Sequence, residues 1–214
     1  MTINFIGVIV PLSILLPFFI ALCRWRFLTL QAKYIFLYLL VTAVINSAAI
    51  YIGRHLHKNN MPLVHVLTAL DIVILLFYYK ALFKHHNKLL QYFSLAAIFI
   101  VFCIINAIFF QSIYTYSSYT RSLEALFCML FALNYFARLA SDTTTQVRII
   151  KQSDFYFNAG IFLYFSGAFM LFIFSNFIIS GLSKANFLII WNIHGSLLML
   201  MYVLFSFGFL LCKK

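Results

Sequence analysis

Charged residues are rare in this chain. They make up only 9% of its 214 residues, and just four of them are acids. Hydrophobic residues make up 65% of the chain, and the mean hydropathy is +1.03. A water-soluble domain of this length cannot bury so large an apolar fraction in one core. The composition therefore excludes a soluble globular protein and predicts an integral membrane protein.

Motifs for disulfides, metals and covalent catalysis are also lacking. The four cysteines show no C-x-x-C spacing, so we expect no disulfide framework. Neither H-x-x-x-H nor H-E-x-x-H occurs, and His65 and His194 are the only histidines within the long apolar stretches. We therefore predict neither a metal site nor a haem, and no cofactor is assigned. The pattern favours a non-enzymatic role without catalytic residues, although it leaves an enzymatic one open.

Seven long apolar stretches dominate what is present. A hydrocarbon core ~30 Å thick needs about 20 apolar residues in a helix, and only helices or closed barrels satisfy their backbone polar groups there. The stretches are continuous rather than alternating, which predicts helices and an all-α fold. Residues 1–214 are predicted to form one seven-helix transmembrane domain without a soluble domain. The predicted spans are 5–22, 34–53, 63–83, 89–110, 119–139, 155–181 and 187–212.

Basic residues are distributed unevenly between the two sides of the predicted bundle. Every second gap and the C-terminal tail hold eleven of them, namely Arg24, Arg26, Lys33, Lys80, Lys84, Lys88, Arg138, Arg148, Lys151, Lys213 and Lys214. The other side holds only Arg54, Lys58, Arg121 and Lys184. Lys and Arg are retained on the cytoplasmic side of a membrane. The sequence therefore predicts an N-terminus outside and a C-terminus in the cytoplasm, in a cell inner or plasma membrane.

The formal net charge of +11 follows from the same distribution. On a soluble protein it would suggest nucleic-acid binding, but here it fits positive charge retained beside anionic lipid head groups. We therefore predict the lipid bilayer as a partner and no nucleic acid. We also expect a membrane or cytoplasmic protein partner on the basic inner side.

Polar side chains within the spans concentrate in the predicted outer half. Counted at 1.5 Å per residue, they lie about 6 to 12 Å from the outer ends of six helices. These residues are Asn46, Asp71, Asn106, Glu124, Asn176, Asn192 and His194, with His65 nearer the surface. Ionisable groups inside a membrane span need a partner, water or a function. We predict a polar crevice lined by Asp71, Glu124, His194, Asn46, Asn192 and His65.

Structural and functional interpretations of this layer both stay open. Asparagines link helices by interhelical hydrogen bonds, which is a purely structural role. The carboxyl groups of Asp71 and Glu124 cost more to bury than an amide, so they indicate either a structural ion pair or a functional site. Their partner is either His194 or Arg121, which precedes Glu124 by three residues.

Residues spread over most of the chain carry a resemblance to known membrane proteins. They are Asn60, Val64-His65 through Asp71, Tyr78-Tyr79, Glu124, and Phe157 through Gly167. The chain resembles small bacterial seven-helix proteins and the seven-helix input modules of sensor histidine kinases. That resemblance implies an extracytoplasmic sensor embedded in the membrane.

Three functional hypotheses follow from these patterns. The first is a receptor-like sensor that binds a small ligand or protons in the crevice and signals through a separate partner. Its switch is the titration of His194 together with one of the acids. The second is a small-molecule or proton-coupled transporter, in which Pro11 and Pro17 kink the first helix so that it gates. The third is a structural or assembly subunit of a membrane complex.

Overall fold

Helices make up most of the computed structural model, which describes residues 5–84, 89–141, 146–181 and 183–213. In this part of the chain, seven helices are long and apolar enough to cross a membrane. They are α1 (Phe5–Cys23), α2 (Leu30–Arg54), α3 (Met61–Leu82), α4 (Leu89–Phe110), α5 (Ser118–Ser141), α6 (Ser153–Ile173) and α7 (Lys184–Leu211). The prediction of an all-helical fold with seven spans is confirmed.

Local signals determine where several helices begin. The Thr29 hydroxyl, just before α2, accepts a hydrogen bond from the Ala32 backbone N–H at 3.3 Å. Ser183 caps α7 in the same way, accepting from the Asn186 N–H at 3.4 Å. Pro62 lies in the first turn of α3, where its missing N–H removes no helical hydrogen bond. These residues satisfy or remove amide donors that the helix itself leaves unpaired.

The first helix is irregular along its length. It begins with a π-helical turn, Phe5–Ile9, and its α-helical hydrogen bonding is interrupted at Ile14. Pro17 lies three residues after this interruption and has no N–H to donate to the Ser13 carbonyl. The interruption is therefore found next to a proline, as the sequence predicts for this span.

The predicted sixth span, residues 155–181, is divided into two helices. α6 ends at Ile173, and a short helix, Ser175–Gly181, follows after Phe174. Ser175 and Asn176 follow Phe174, but apolar residues resume at Phe177, so hydropathy alone does not indicate the division. α6 also begins earlier than predicted and contains Asp154 in its first turn, where the helix dipole favours an acid.

Close packing of α6 against α7 forms the centre of the bundle. A Cβ atom on Gly208 would lie 2.5 Å from Phe157 Cε1, and one on Gly160 would lie 3.0 Å from Phe205 Cε1. The rings of Phe157 and Phe205 are fully buried against each other at a centroid distance of 5.9 Å. Glycine at these two positions therefore allows the helices to approach closely, as small residues do in membranes.

An odd number of crossings places the two ends of the described chain on opposite sides of the bundle. We call the side with the beginning of α1 the N-terminal face, which also contains the connections 55–60 and 111–117. The opposite side is the C-terminal face. Between them the exterior is apolar: Leu90, Ile108 and Phe109 are 80%, 68% and 75% exposed. Because such side chains are compatible with lipid and not with water, the protein contacts a bilayer through these helices.

Candidate functional site

Arg121 lies between the carboxyl groups of Asp71 and Glu124 in the interior of the bundle. Its Nη1 atom is 3.0 Å from Glu124 Oε2 and 3.5 Å from Asp71 Oδ2. The Thr42 hydroxyl donates a hydrogen bond to Asp71 Oδ1 at 3.4 Å. The side chains of Asp71, Arg121 and Glu124 are only 3%, 11% and 0% exposed. We call these three residues the acid–arginine cluster.

Helix geometry and two interhelical contacts bring the cluster together. Arg121 and Glu124 are three residues apart and therefore share one face of α5. α5 packs against α3, which contributes Asp71, and α2 packs against α3 so that Thr42 reaches the same carboxyl group. The sequence leaves His194 and Arg121 open as partners of the acids, and the structure places Arg121 there.

The cluster lies nearer the N-terminal face than the C-terminal face. Glu124 is six residues from the beginning of α5 at Ser118, or ~9 Å along the helix axis. Asp71 is ten residues from the beginning of α3 at Met61, or ~15 Å. Measured from these helix ends, the two acids lie at depths between ~9 Å and the mid-plane of a hydrocarbon core ~30 Å thick.

The charges in the cluster do not balance when all three groups are ionised. One guanidinium faces two carboxylates, which leaves one net negative charge in the interior. Glu124 Oε1 is also buried and has no hydrogen-bond partner among the described residues. An uncompensated charge is strongly unfavourable in such surroundings. The arrangement is therefore suited to taking up a proton, which would bring the cluster to neutrality.

Other ionisable side chains surround the cluster on every neighbouring helix. Those within electrostatic range of its charges are Tyr38, Cys103, Tyr116, Cys128, Tyr164, His194 and Tyr202. Tyr116 lies in the connection before α5, and burial raises its pKa to about 12. Tyrosine and cysteine are ordinarily uncharged near neutral pH. The groups in the neighbourhood that carry charge are therefore mainly those of the cluster itself.

The His194 ring packs among aromatic rings instead of pairing with an acid. Its centroid lies 5.2 Å from that of Trp191 and 5.5 Å from those of Tyr164 and Phe172. The Nδ1 atom of His194 is buried and has no hydrogen-bond partner among the described residues. No ion pair in the described part of the chain involves His194. Its surroundings are therefore those of a packed aromatic residue.

Three further predicted site residues are not members of the cluster. His65 Nε2 is 3.0 Å from the Thr115 carbonyl oxygen at the N-terminal face. Asn46 lines a groove beside α1. Asn192 lines a different groove along α7, with a volume of about 430 Å³. The structure thus brings together Asp71 and Glu124, and His194 lies within electrostatic range of Arg121. A single crevice lined by all six residues stays a prediction.

Asn106 and Asn176 belong to a network of neutral hydrogen bonds at the N-terminal face. Asn106 Nδ2 donates to Gln111 Oε1 at 3.1 Å, and Gln111 Nε2 donates to the Ser118 hydroxyl oxygen at 2.6 Å. Asn176 Nδ2 donates to the same Ser118 oxygen at 3.1 Å. The network joins the end of α4, the beginning of α5 and the short helix after α6. These two asparagines therefore have the structural role that interhelical amide bonds predict.

A second group of buried polar atoms lies towards the C-terminal face and is larger than the sequence indicates. Asn158 Nδ2 donates to the Tyr78 hydroxyl at 2.7 Å and to the Asp154 carbonyl at 2.8 Å. Asp154 Oδ1, Asn158 Oδ1 and the Tyr135 hydroxyl are buried without hydrogen-bond partners among the described residues. The signal available in the sequence was the acid just before an apolar run, which is typical of a first helical turn.

The fold and this site define a class, a seven-helix integral membrane protein with a charged cluster buried between its helices. No group of three or more His, Cys, Asp or Glu side chains within the described ranges is arranged to hold a metal ion. No protein-family model matches the chain, and no curated protein or solved structure is significantly similar to it. Function must therefore be inferred from the cluster and its surroundings.

Proposed function

We propose that this protein is a membrane-embedded, receptor-like proton sensor and that the acid–arginine cluster is its proton-binding site. The observation that carries the proposal is the unequal charge, with one arginine between two buried carboxyl groups. A structural ion pair needs only one acid for its one base. The second acid gives the bundle two charge states, which is what a switch requires.

The two charge states differ in how they hold α3 and α5. With one proton bound, the cluster is neutral and Arg121 pairs with a single carboxylate. Without that proton, both carboxylates compete for the Nη1 atom of Arg121. We assign the proton to Glu124, because Asp71 has a second donor in Thr42 whereas Glu124 Oε1 has none. Losing the proton is then expected to shift α3 relative to α5.

The acids, rather than His194, are the titrating groups in this proposal. The sequence predicts His194 as part of the switch. The proposal leaves it out because aromatic rings surround it and no acid pairs with it in the described part of the chain. His194 instead contributes packing on the side of the bundle that faces Arg121. The tyrosines and cysteines around the cluster are ordinarily uncharged near neutral pH and add no charge to it.

The distribution of basic residues supports a cluster on the external side. By the spans predicted from the sequence, eleven Lys and Arg residues fall on the side of the C-terminal tail and four on the other, and one of those four is Arg121 itself. By the positive-inside rule the N-terminal face is external and senses external protons. The basic face would then meet a cytoplasmic or membrane partner with an acidic surface. A fluorescent reporter at the C-terminus is expected to be active, and a C-terminal phosphatase that needs an extracytoplasmic location is expected to be inactive.

A distance measurement tests the sensor proposal directly. Spin labels at the N-terminal ends of α3 and α5 report their separation in nanodiscs from mildly acidic to mildly alkaline pH. The wild type is expected to show two separations that interconvert with pH, and Glu124→Gln is expected to remain in the acidic one. Asp154→Asn, which changes an acid outside the cluster, serves as the control. An identical pH response in wild type and Glu124→Gln would exclude the cluster as the sensor.

A proton-coupled transporter is the second candidate, and the polar group towards the C-terminal face favours it. Asp154, Asn158 and Tyr78 give the opposite half of the bundle its own buried polar atoms, as a path across the membrane would need. Proteoliposomes with an imposed pH gradient distinguish the two functions. A transporter would carry protons and lose this flux in Asp154→Asn, whereas a sensor would show no flux in either form.

A further inference from the structure

We propose that a groove between α1 and α2 binds one acyl chain of an anionic amphiphile, with Arg54 holding the negative head group. This site is separate from the acid–arginine cluster and does not depend on proton sensing. It follows from the shape of the groove, the chemistry of its wall and the charge at its mouth.

The helices α1 and α2 meet at both ends and leave a space between. At the N-terminal face, Arg54 Nη2 donates a hydrogen bond to the Gly7 carbonyl at 2.7 Å. Towards the C-terminal face, the rings of Phe18 and Phe36 stack at a centroid distance of 5.1 Å. The groove between these contacts has a volume of about 650 Å³. That volume lies within the ~300–1,000 Å³ range of small-molecule sites in proteins.

The groove has the length of an acyl chain in one leaflet. Its lining extends along α2 from Arg54 to Ala43, eleven residues apart. At 1.5 Å per residue the groove reaches ~16 Å into the membrane. This is about half of a hydrocarbon core ~30 Å thick, and half the core is the depth that the chains of one leaflet occupy.

The wall of the groove is mostly apolar and is open to lipid along α1. Val10, Ile14 and Leu198 form part of its inner side. Two other lining residues, Leu12 and Leu15, are 55% and 41% exposed in the bundle, so a chain can enter sideways from the bilayer. A methylene group has a lower free energy against such a wall than in water, and about the same free energy as in the bilayer interior. The apolar contact therefore accommodates a chain but does not select it.

The charge at the mouth is what selects the ligand. Arg54 and His55 line the groove at the N-terminal face, and none of the residues that line it is an acid. Arg54 forms no ion pair in the described part of the chain, and its bond to Gly7 uses only one of five guanidinium donors. The planar fork of an arginine matches the oxygen atoms of a carboxylate or phosphate. The site therefore fits a negative head group at the level of the membrane surface.

Native mass spectrometry of the full chain released from detergent tests this proposal with four probes. Palmitate and phosphatidylglycerol combine an acyl chain with an anion, whereas hexadecanol and phosphatidylcholine provide a chain without net negative charge. We expect one anionic amphiphile to stay bound to the wild type. Binding of palmitate identifies a free fatty acid as the ligand, and binding of phosphatidylglycerol identifies an anionic phospholipid; both support the proposal.

Matched variants test whether binding requires the charge of Arg54 and the space inside the groove. Arg54→Gln is expected to weaken the anionic probe about tenfold or more, while Arg54→Lys, which keeps the charge but not the planar fork, is expected to retain part of the affinity. Lys58→Gln removes a base from the same face outside the groove and is expected to have no effect. Ile50→Trp fills the groove and is expected to displace every probe. Retained helicity and a monodisperse elution peak verify that each variant is folded.

Three results would overturn the proposal. One is equal binding of hexadecanol or phosphatidylcholine and the anions. Another is an affinity in Arg54→Gln equal to that of the wild type, or a loss in Lys58→Gln as large as the loss in Arg54→Gln. The third is a folded wild type that retains none of the four probes.

Discussion

Replacing Arg121 by glutamine leaves two buried carboxyl groups without the cation that lies between them. Glutamine keeps a polar side chain at the position but supplies no charge. Within the described residues, Arg121 is the base that pairs with both Asp71 and Glu124. The substitution is therefore a direct probe of how strongly the cluster depends on charge.

The distances allow the size of the effect to be estimated. At an effective dielectric constant of about 20, the Coulomb attraction is about 5.5 kcal/mol at 3.0 Å and about 4.7 kcal/mol at 3.5 Å. Desolvation of the guanidinium offsets much of this attraction. Removing one partner of a buried ion pair typically costs about 3 to 5 kcal/mol. We expect the free energy of unfolding of Arg121→Gln to fall by that amount at alkaline pH.

The loss is expected to depend on pH in one direction. In Arg121→Gln the folded protein gains from protonating its uncompensated acids, so its stability should rise as the pH falls. The triple variant Asp71→Asn, Arg121→Gln, Glu124→Gln contains no charge in the cluster. It should therefore recover most of the lost stability and lose the pH dependence that comes from the cluster.

Denaturant unfolding in detergent, followed by fluorescence at several pH values, measures these differences. Arg138→Gln is the matched control, because Arg138 is an exposed arginine of the same helix that donates to Asn134 at 3.2 Å. This exposed hydrogen bond and the cation–π contact of Arg138 with the Phe83 ring, 4.4 Å from its centroid, are each worth about 0.5 to 1 kcal/mol. The reasoning is refuted if Arg121→Gln loses no more stability than Arg138→Gln, or if the triple variant is no more stable than Arg121→Gln.

Three further variants test the packing of the bundle and the polar groups inside it. Gly208→Ala should reduce the free energy of unfolding by about 1 to 3 kcal/mol, because its Cβ would overlap the Phe157 ring; denaturant unfolding measures the loss. Asn158→Leu removes the 2.7 Å bond to the Tyr78 hydroxyl and should cost about 0.6 to 2 kcal/mol in the same assay. His194→Phe should keep the aromatic packing and leave the pH-dependent separation of α3 and α5 unchanged. If the response to pH were lost, His194 would be the titrating group.

The seven-helix fold was predictable because the membrane imposes a simple length requirement. Twenty-residue apolar runs separated by short polar gaps admit few alternatives to helices. The two central acids were predictable as well, since Asp71 and Glu124 are rare ionisable residues in otherwise apolar runs. Both inferences depend on composition along the chain and not on how one helix is rotated against another.

The partner of the acids was not predictable, because it depends on how the helices are rotated against one another. Choosing between Arg121 and His194 requires the rotation of α5 and α7 about their own axes, which interhelical packing sets. Hydropathy periodicity does not define that rotation closely enough to choose between the two partners. The same limitation explains why Asn46 and Asn192 were assigned to a shared crevice although they line separate grooves.

Hydropathy did not predict the break at Phe174 or the first residue of α6, because both depend on backbone hydrogen bonding. An apolar run shows that a segment is long enough to cross a membrane but not whether its hydrogen bonding is continuous. Ser175, whose hydroxyl donates to the Phe172 carbonyl at 2.8 Å, lies directly after the break. The predicted sixth span begins directly after Asp154, whereas helix N-termini favour acids and the helix includes it.

Infrared difference spectroscopy of the protein in nanodiscs tests the central claim most directly, because it detects the carbonyl stretch of a protonated carboxyl group. Acidic minus alkaline spectra are expected to show such a band in the wild type. The component of this band that comes from Glu124 should be absent from Glu124→Gln and retained in Asp154→Asn. A band that persists unchanged in Glu124→Gln, or a wild type with no protonated carboxyl group at acidic pH, would contradict the assignment of the acid–arginine cluster as a proton-binding site.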